Sequence, residues 1–466
     1  MKLHQIALAL AALTAAGQAA ALTPAEIAAA RTAGQLHEVW ASGASAPTRN
    51  VFEAFKTDCT DTVDVYTADA AGTVPGSAGD YLAYACTTST LGKTVMYHTV
   101  SGGSFNAFAP HVNGDQLKRL GALDTNAACV ANANTANVYN SCASVTAATA
   151  ADSAPALPDG GVSDVDSPLF QDLFTTAPSS VGTEVSANVF QVFGVAVSTN
   201  LYRAMQTAQG ITAAHCTDGG SDDFRDPACM PSITKAQYAS IAALGGGYQT
   251  DWSFLLGAAG AGKAVNLCRR VPTSGTQATS NAYFLGNPCN RGSAGGEYAP
   301  VTDADDTASA PTDAAGLWVT ESSGTSDVKK CLNKANDNAT QYFAIGVVSL
   351  ENDPLAETKT DRDDYRFVKL DGVSPENATD DRARQNAING AYGMASEMSF
   401  FTANTASADG VAMLGTVVNN MGVPGLADLR GLYISPAGGA DHNANPDIVG
   451  KGTRFGNNCQ PLNLFF

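Results

Sequence analysis

Basic residues are scarce in this chain. Its 26 Lys and Arg face 44 Asp and Glu, giving a formal net charge of −18 and a pI near 4.6. No Lys/Arg cluster is present to neutralise phosphates along a strand, which argues against a nucleic-acid partner. A small anion is a different matter, because a closed site works through local donors rather than overall charge. After the first residues, no stretch approaches the roughly 20 uninterrupted apolar residues that a membrane-spanning helix requires. The six histidines, His4, His37, His98, His111, His215 and His442, form no i, i+4 pair, so a histidine metal site or hydrolytic triad has little support. GxSxG, the P-loop signature and CxxC are all missing, which removes the usual anchors for esterase, nucleotide-hydrolase and redox or zinc readings. The Asp-Ala-Asp-Asp run from Asp303 lacks EF-hand spacing and reads as solvated. There is no repeat period and no coiled-coil pattern.

What is present begins with MKLHQIALALAALTAAGQAAA, where one Lys precedes a short apolar core and small residues at Gly17, Ala19 and Ala21 offer cleavage sites. Residues 1–21 are therefore expected to be a secretory signal peptide. The first cysteine is Cys59, so no lipobox accompanies it, and a periplasmic or extracellular location is expected. The remaining length, about 445 residues, exceeds what one core normally serves and implies two domains. Ten cysteines in an exported chain imply up to five disulfides. Proximity in sequence suggests Cys59 with Cys86, Cys129 with Cys142, Cys216 with Cys229, Cys268 with Cys289, and Cys331 with Cys459.

Strand-like and helix-like segments alternate along the chain, the pattern of α/β layers. A helix capped by Thr23 and ended by Gly34 is followed by a strand at HEVWASG, a small-residue turn and a helix after Pro47. VDVYTA and KTVMYHTV read as strands separated by a Gly- and Ala-rich loop. Residues 124–160 are rich in Ala, Thr, Asn, Ser and Asp and read as a surface insertion. The apolar run from Val189 reads as a buried strand entering a second domain, and a helix follows with a cap at Ser232 or Thr234. YFAIGVVSLEN, YRFVKL and GAYGMASEMSFFTA read as later strands, and GVAMLGTVVNNMG as a closing helix.

Four small-residue turns before helix-like segments, at Ser45, Ser101, Ser163 and Ser274, carry the candidate chemistry. Each directs backbone N–H groups and small hydroxyls outward at a helix start, where the helix dipole favours an anion. Arg270 supplies a full positive charge beside the last turn, and Asp164 a single carboxylate. Together they suit an oxyanion that still carries a proton, because a carboxylate can only accept. Phosphate near neutral pH keeps such a proton and sulfate does not, so an unpaired like charge rejects sulfate. Taken singly, such turns are more often ordinary helix caps.

Several of these segments together resemble the phosphate-binding proteins that serve bacterial ABC importers, a group that includes the DING-type proteins. The family's Arg-x-x-x-Ser-Gly-Thr turn is matched by Arg270, Ser274, Gly275 and Thr276, and its Gly-Ala-Ser-Asp strand end is similar to Gly161-Val162-Ser163-Asp164. Its first Gly-Ala-Ser/Thr turn is similar to Gly43-Ala44-Ser45-Ala46-Pro47, with Ala46 standing where the family often has Phe. Ile233-Thr234, Thr250-Asp251-Trp252 and Ala344-Ile345-Gly346-Val347 echo further family segments in the same order.

The resemblance implies a type II periplasmic binding protein, two α/β lobes around a hinge and a ligand cleft. Lobe I is expected over 22–190, lobe II over 191–395, and a segment over 396–466 returning to lobe I. The implied ligand is inorganic phosphate, held by Ser45, Ala46, Asp164, Arg270, Ser274, Gly275 and Thr276. The second turn contributes Ser101, with Ser104 as the alternative. No catalytic residue, cofactor or metal is implied; a monomer and an ABC importer membrane complex as partner are. The competing readings are a secreted phosphatase-like enzyme on the same scaffold, and a surface protein that has lost its ligand.

Overall fold

The computed structural model describes residues 22–67, 80–121, 123, 156–216, 225–244, 251–290, 296–302, 316–337, 342–355, 363–376, 382–426 and 428–465, and the backbone of 129–131 and 139–143. The expected signal peptide lies outside the described residues, as do Thr250 and the acidic run from Asp303.

The first helix, α1 (Pro24–Thr32), starts on a capping box in which Thr23 and Glu26 satisfy one another's backbone N–H groups. Strand β1 (His37–Gly43) then leads through the Ala44–Pro47 turn into α2 (Thr48–Thr57), as the Pro47 signal predicts. Next come β2 (Val63–Thr67), β3 (Tyr81–Thr88) and β4 (Gly92–Thr99). β3 corrects the expectation of a loop throughout the Gly- and Ala-rich stretch. Its Leu82, Tyr84 and Cys86 enter one core while Ala83 and Ala85 enter another, so a strand buried on both faces lies behind an unremarkable composition. In the expected insertion, β5 (Cys129–Ala131) and β6 (Tyr139–Ala143) extend the sheet edge beyond β2.

β7 (Gly160–Ser163) is followed by β8 (Gly182–Ser198), a 17-residue strand. The chain continues through α3 (Thr199–Ala208), β9 (Ser232–Ile233) and α4 (Lys235–Ala242), the last capped by Thr234 with Gln237. Then come β10 (Ala264–Arg270), α5 (Gly275–Ser280), β11 (Leu317–Ser322), α6 (Thr325–Lys334) and β12 (Tyr342–Ser349). β13 (Tyr365–Phe367), β14 (Lys369–Leu370), β15 (Ala395–Ala403), α7 (Ala408–Met421) and β16 (Leu432–Ile434) complete the elements that matter here.

The strand order β11-β10-β12-β8-β15-β7-β1-β4-β3-β2-β6-β5 runs through two α/β lobes. β8 is the first crossing between them: its beginning pairs with β15, and its end, Phe193–Val197, pairs with β12. One core collects Val195, Val197, Trp252, Leu267 and Ile345. The other collects Val39, Phe52, Val162 and Phe400, and Met413, Leu414 and Val417 of α7 pack with them, so the chain returns after β15 to the lobe it began in.

Four disulfides join described residues, and two differ from expectation. Cys59–Cys86 and Cys216–Cys229 pair as neighbours in sequence, but Cys268 pairs with Cys331 and Cys289 with Cys459. The physical reason is packing. α6 lies across β10 and brings Cys331 onto Cys268, which leaves Cys289 for the C-terminal segment. Cys129 and Cys142 face one another in the β5–β6 register, but their side chains lie outside the described residues.

Candidate functional site: an anion cradle between the lobes

Three parallel strands of the first lobe, β1, β4 and β7, end side by side. The parallel strands β10, β11 and β12 of the second lobe do the same. Ligand sites of α/β sheets form outside such carboxyl ends. Gly43 ends β1 at φ +124°, and a Cβ there would lie 2.0 Å from the Val162 carbonyl oxygen, so only glycine brings the first turn this close to β7.

The lobes touch through these turns. The Phe105 N–H donates to the Thr273 carbonyl at 2.9 Å, and the Gly275 N–H donates to Ser104 Oγ at 3.0 Å. Ser104 Oγ in turn donates to Asp164 Oδ2 at 3.0 Å. Gly275 packs so tightly that a Cβ would meet Ser104 Oγ at 2.5 Å and Asp164 Cβ at 2.6 Å. Ser101 sits apart: its carbonyl accepts from Asn106 Nδ2, and its hydroxyl bonds to no described residue. Of the two hydroxyls in this turn, Ser104 is the one in contact with Asp164.

Arg269 and Arg270 separate by strand alternation. Arg269 pairs with Glu321 at 2.9 Å and lies over the Tyr298 ring, a structural role. Arg270 is buried, with Nη1 donating to Thr325 Oγ1 and Nη2 to the Ser323 carbonyl, both at 2.7 Å. Thr325 and Ser323 escape the sequence reading, although Ser322-Ser323-Gly324-Thr325 is itself a small-residue turn before a helix and offered the signal. Ser274, Gly275 and Thr276 open α5 and are buried, and the Ser274 and Thr276 hydroxyls bond to no described residue. Ala46 is buried behind the first turn while Ser45 is exposed, its carbonyl taken by Thr48 Oγ1.

Three buried polar atoms of this region have no partner among the described residues: Asp164 Oδ1, Arg270 Nε and Ser322 Oγ. Buried polar atoms are normally paired, so these three stand out, and Asp164 and Arg270 lie near enough for the charge of each to act on the other. Burial pushes the Asp164 carboxyl up to about 6, against the opposing pull of the Ser104 hydroxyl and the Arg270 charge. Burial likewise lowers Arg270, with Asp164, Asp327 and Asp80 opposing. Glu351, just after β12, is a further carboxyl that sequence reasoning missed. Part of the residue reaches solvent, yet its carboxyl is surrounded by protein and is pushed to about 8, first by burial and then by the Asp164 charge. Burial thus works against the charged form of both carboxyls, and more strongly at Glu351 than at Asp164.

The other resembling segments build scaffold. Trp252 is buried and donates Nε1 to the Ala264 carbonyl at 2.9 Å, Thr234 caps α4, and Ala344–Val347 lie within β12. His215, Cys216 and Cys229 cluster closely enough to hold a metal ion, but the two cysteines are joined to each other and offer no thiolate. No described helix is long and apolar enough to cross a membrane.

No protein-family model matches the chain, and no curated protein does. Among solved structures, one described as a "Putative Phosphate ABC Transporter Substrate-Binding Protein with Bound Phosphate" from Clostridium perfringens is similar at 12% identity and a TM-score of 0.42, over 85% of this chain and 99% of that one. A possible phosphate binding protein from Planctomyces limnophilus is similar at 9% identity and a TM-score of 0.35, over 84% of this chain and 90% of that one.

Proposed function

We propose that the chain is an exported solute-binding protein, periplasmic or extracellular, that encloses inorganic phosphate between its lobes and does not turn it over. Lobe I is 22–190 with 396–466, and lobe II is 191–395. The observation that carries this reading is the pair of open buried atoms, Asp164 Oδ1 and Arg270 Nε. Arg270 neutralises the anion, and Ser274, Gly275 and Thr276 supply donors at the start of α5. Asp164 accepts the proton that phosphate retains. Ser45 and Ala46 complete the site from the first lobe, and Ser104 replaces Ser101 as the contact from the second turn. The protein acts as a monomer and delivers its ligand to an ABC importer membrane complex.

Calorimetry with phosphate and with sulfate at neutral pH is the test. Phosphate should bind and sulfate should not; comparable binding of both, or of neither, defeats the reading.

A further inference from the structure

A cavity of about 340 Å³ lies behind the anion cradle, on the far side of the helix that begins at Gly275. Thr279 and Tyr283 line it from that helix and its π-helical continuation, Asn281–Leu285. Ser396, at the start of β15, and Arg454 and Leu462, from the C-terminal segment, line it from the other side, beside the Cys289–Cys459 disulfide. Its volume is within the range of small-molecule sites, and π-helical turns often mark functional positions.

The charge of this cavity is opposite to that of the chain. Its lining includes Lys235 and Arg454 and no carboxylate, in a protein of net charge −18. Neither cation has an ion-pair partner among the described residues. Lys235 Nζ stands 4.4 Å over the Tyr283 ring. Arg454 gives Nη1 to the Gln460 carbonyl and Nη2 to the Gly393 carbonyl, and its Nε is buried with no partner. Carboxylates around the cavity are otherwise engaged: Asp371 accepts the Lys235 backbone N–H at 2.9 Å, Asp166 accepts from Asn458, and Glu397 accepts from Ser435, Thr453 and Gly456. Around the cations Ala282, Ala395, Pro461 and Leu462 supply apolar wall beside the disulfide, interspersed with Thr279, Ser396, Asn458 and Gln460.

We infer that this cavity is a second ligand site, distinct from the phosphate cradle, for a small organic monocarboxylate with an apolar body. The carboxylate meets the N–H groups that Arg454 Nη1 and Nη2 do not give to the Gln460 and Gly393 carbonyls, and Lys235 adds charge at the mouth. The apolar body lies against Tyr283 and Leu462.

The test is calorimetry of the full chain with benzoate, in the absence of phosphate and again with phosphate at saturation. Saturable benzoate binding is expected in both conditions, weakened at least ~10-fold by Arg454→Gln. Phosphate binding of that variant should be unchanged. Lys235→Ala, at an exposed position, should weaken benzoate severalfold and serves where the first variant fails to fold. Absence of saturable binding at millimolar benzoate, binding indifferent to the substitutions, or displacement by phosphate would each overturn the inference. Because the benzoate arm is read without phosphate as well, its failure is separable from failure of the phosphate reading.

Discussion

Ser104 and Gly275 stand 171 residues apart in the chain and meet at 3.0 Å, the amide of one donating to the hydroxyl of the other. The same hydroxyl donates to Asp164, so its proton direction is fixed: the carboxylate takes the hydrogen and the amide takes a lone pair. Ser104→Ala leaves both groups unpaired, at a cost of about 1–3 kcal/mol. It should lower the melting temperature of the ligand-free protein and weaken phosphate binding in calorimetry. Ser101→Ala should leave phosphate affinity unchanged; the opposite ranking of the two variants refutes the assignment.

Arg270→Ala removes the only full positive charge assigned to the ligand and should weaken phosphate binding by ~2–5 kcal/mol. Arg270→Lys should recover only part of this loss. A lysine cannot satisfy Thr325 Oγ1 and the Ser323 carbonyl in the planar geometry that the guanidinium provides. Titration of both variants at constant ionic strength measures the difference.

Asp164→Asn tests selectivity. An amide can donate where the carboxylate only accepts, so the variant should gain sulfate affinity while losing phosphate affinity. In the unmodified protein the acceptor disappears as pH falls through about 6, so phosphate binding should weaken below that pH. The same titration of Asp164→Asn should lack this step.

Glu351 should make the ligand-free stability fall between pH 4.5 and about 8. Its folded value, about 8, lies above the ordinary 4.5, so the folded chain holds a proton that the unfolded chain releases. That contribution is complete below pH 4.5 and is lost as pH rises through 8. Asp164 and Asp166 act in the same sense, but between 3.8 and about 6. Glu351→Gln should therefore raise the melting temperature at pH 8 more than at pH 5. Equal shifts at both pH values would disprove this account.

Much of the cradle was legible because its parts are local. A Ser-Gly-Thr turn, a glycine before a close approach and a carboxylate at a strand end all show in a few residues. Arg270 was legible for the same reason, through its fixed spacing from the Ser274-Gly275-Thr276 turn. The remainder depends on tertiary placement. Ser104 and Ser101 are indistinguishable until a turn is folded, and Thr325 joins the site only because β11 lies beside β10. Glu351 follows an apolar strand in a segment that gives no sign of its distant neighbour Asp164. The disulfides were misread where pairing followed helix packing across the sheet rather than distance along the chain, as with Cys268 and Cys331.

Asn458 and Cys459 give the molecule a mechanical property that two crossings alone would not. Asn458 bonds through its backbone N–H and its side chain to Asp166, two residues beyond Asp164, while Cys459 is covalently joined to Cys289, beyond the helix that starts at Gly275. Adjacent residues of the tail thus strap one jaw to the other at the back of the cradle. On the proposed reading, lobe opening is expected to pivot at this pinned edge rather than to part the lobes freely. Anion exchange would then be gated by breathing of the Ser104–Gly275 seam, making release rate a property of the tail as much as of the groups that touch the ligand.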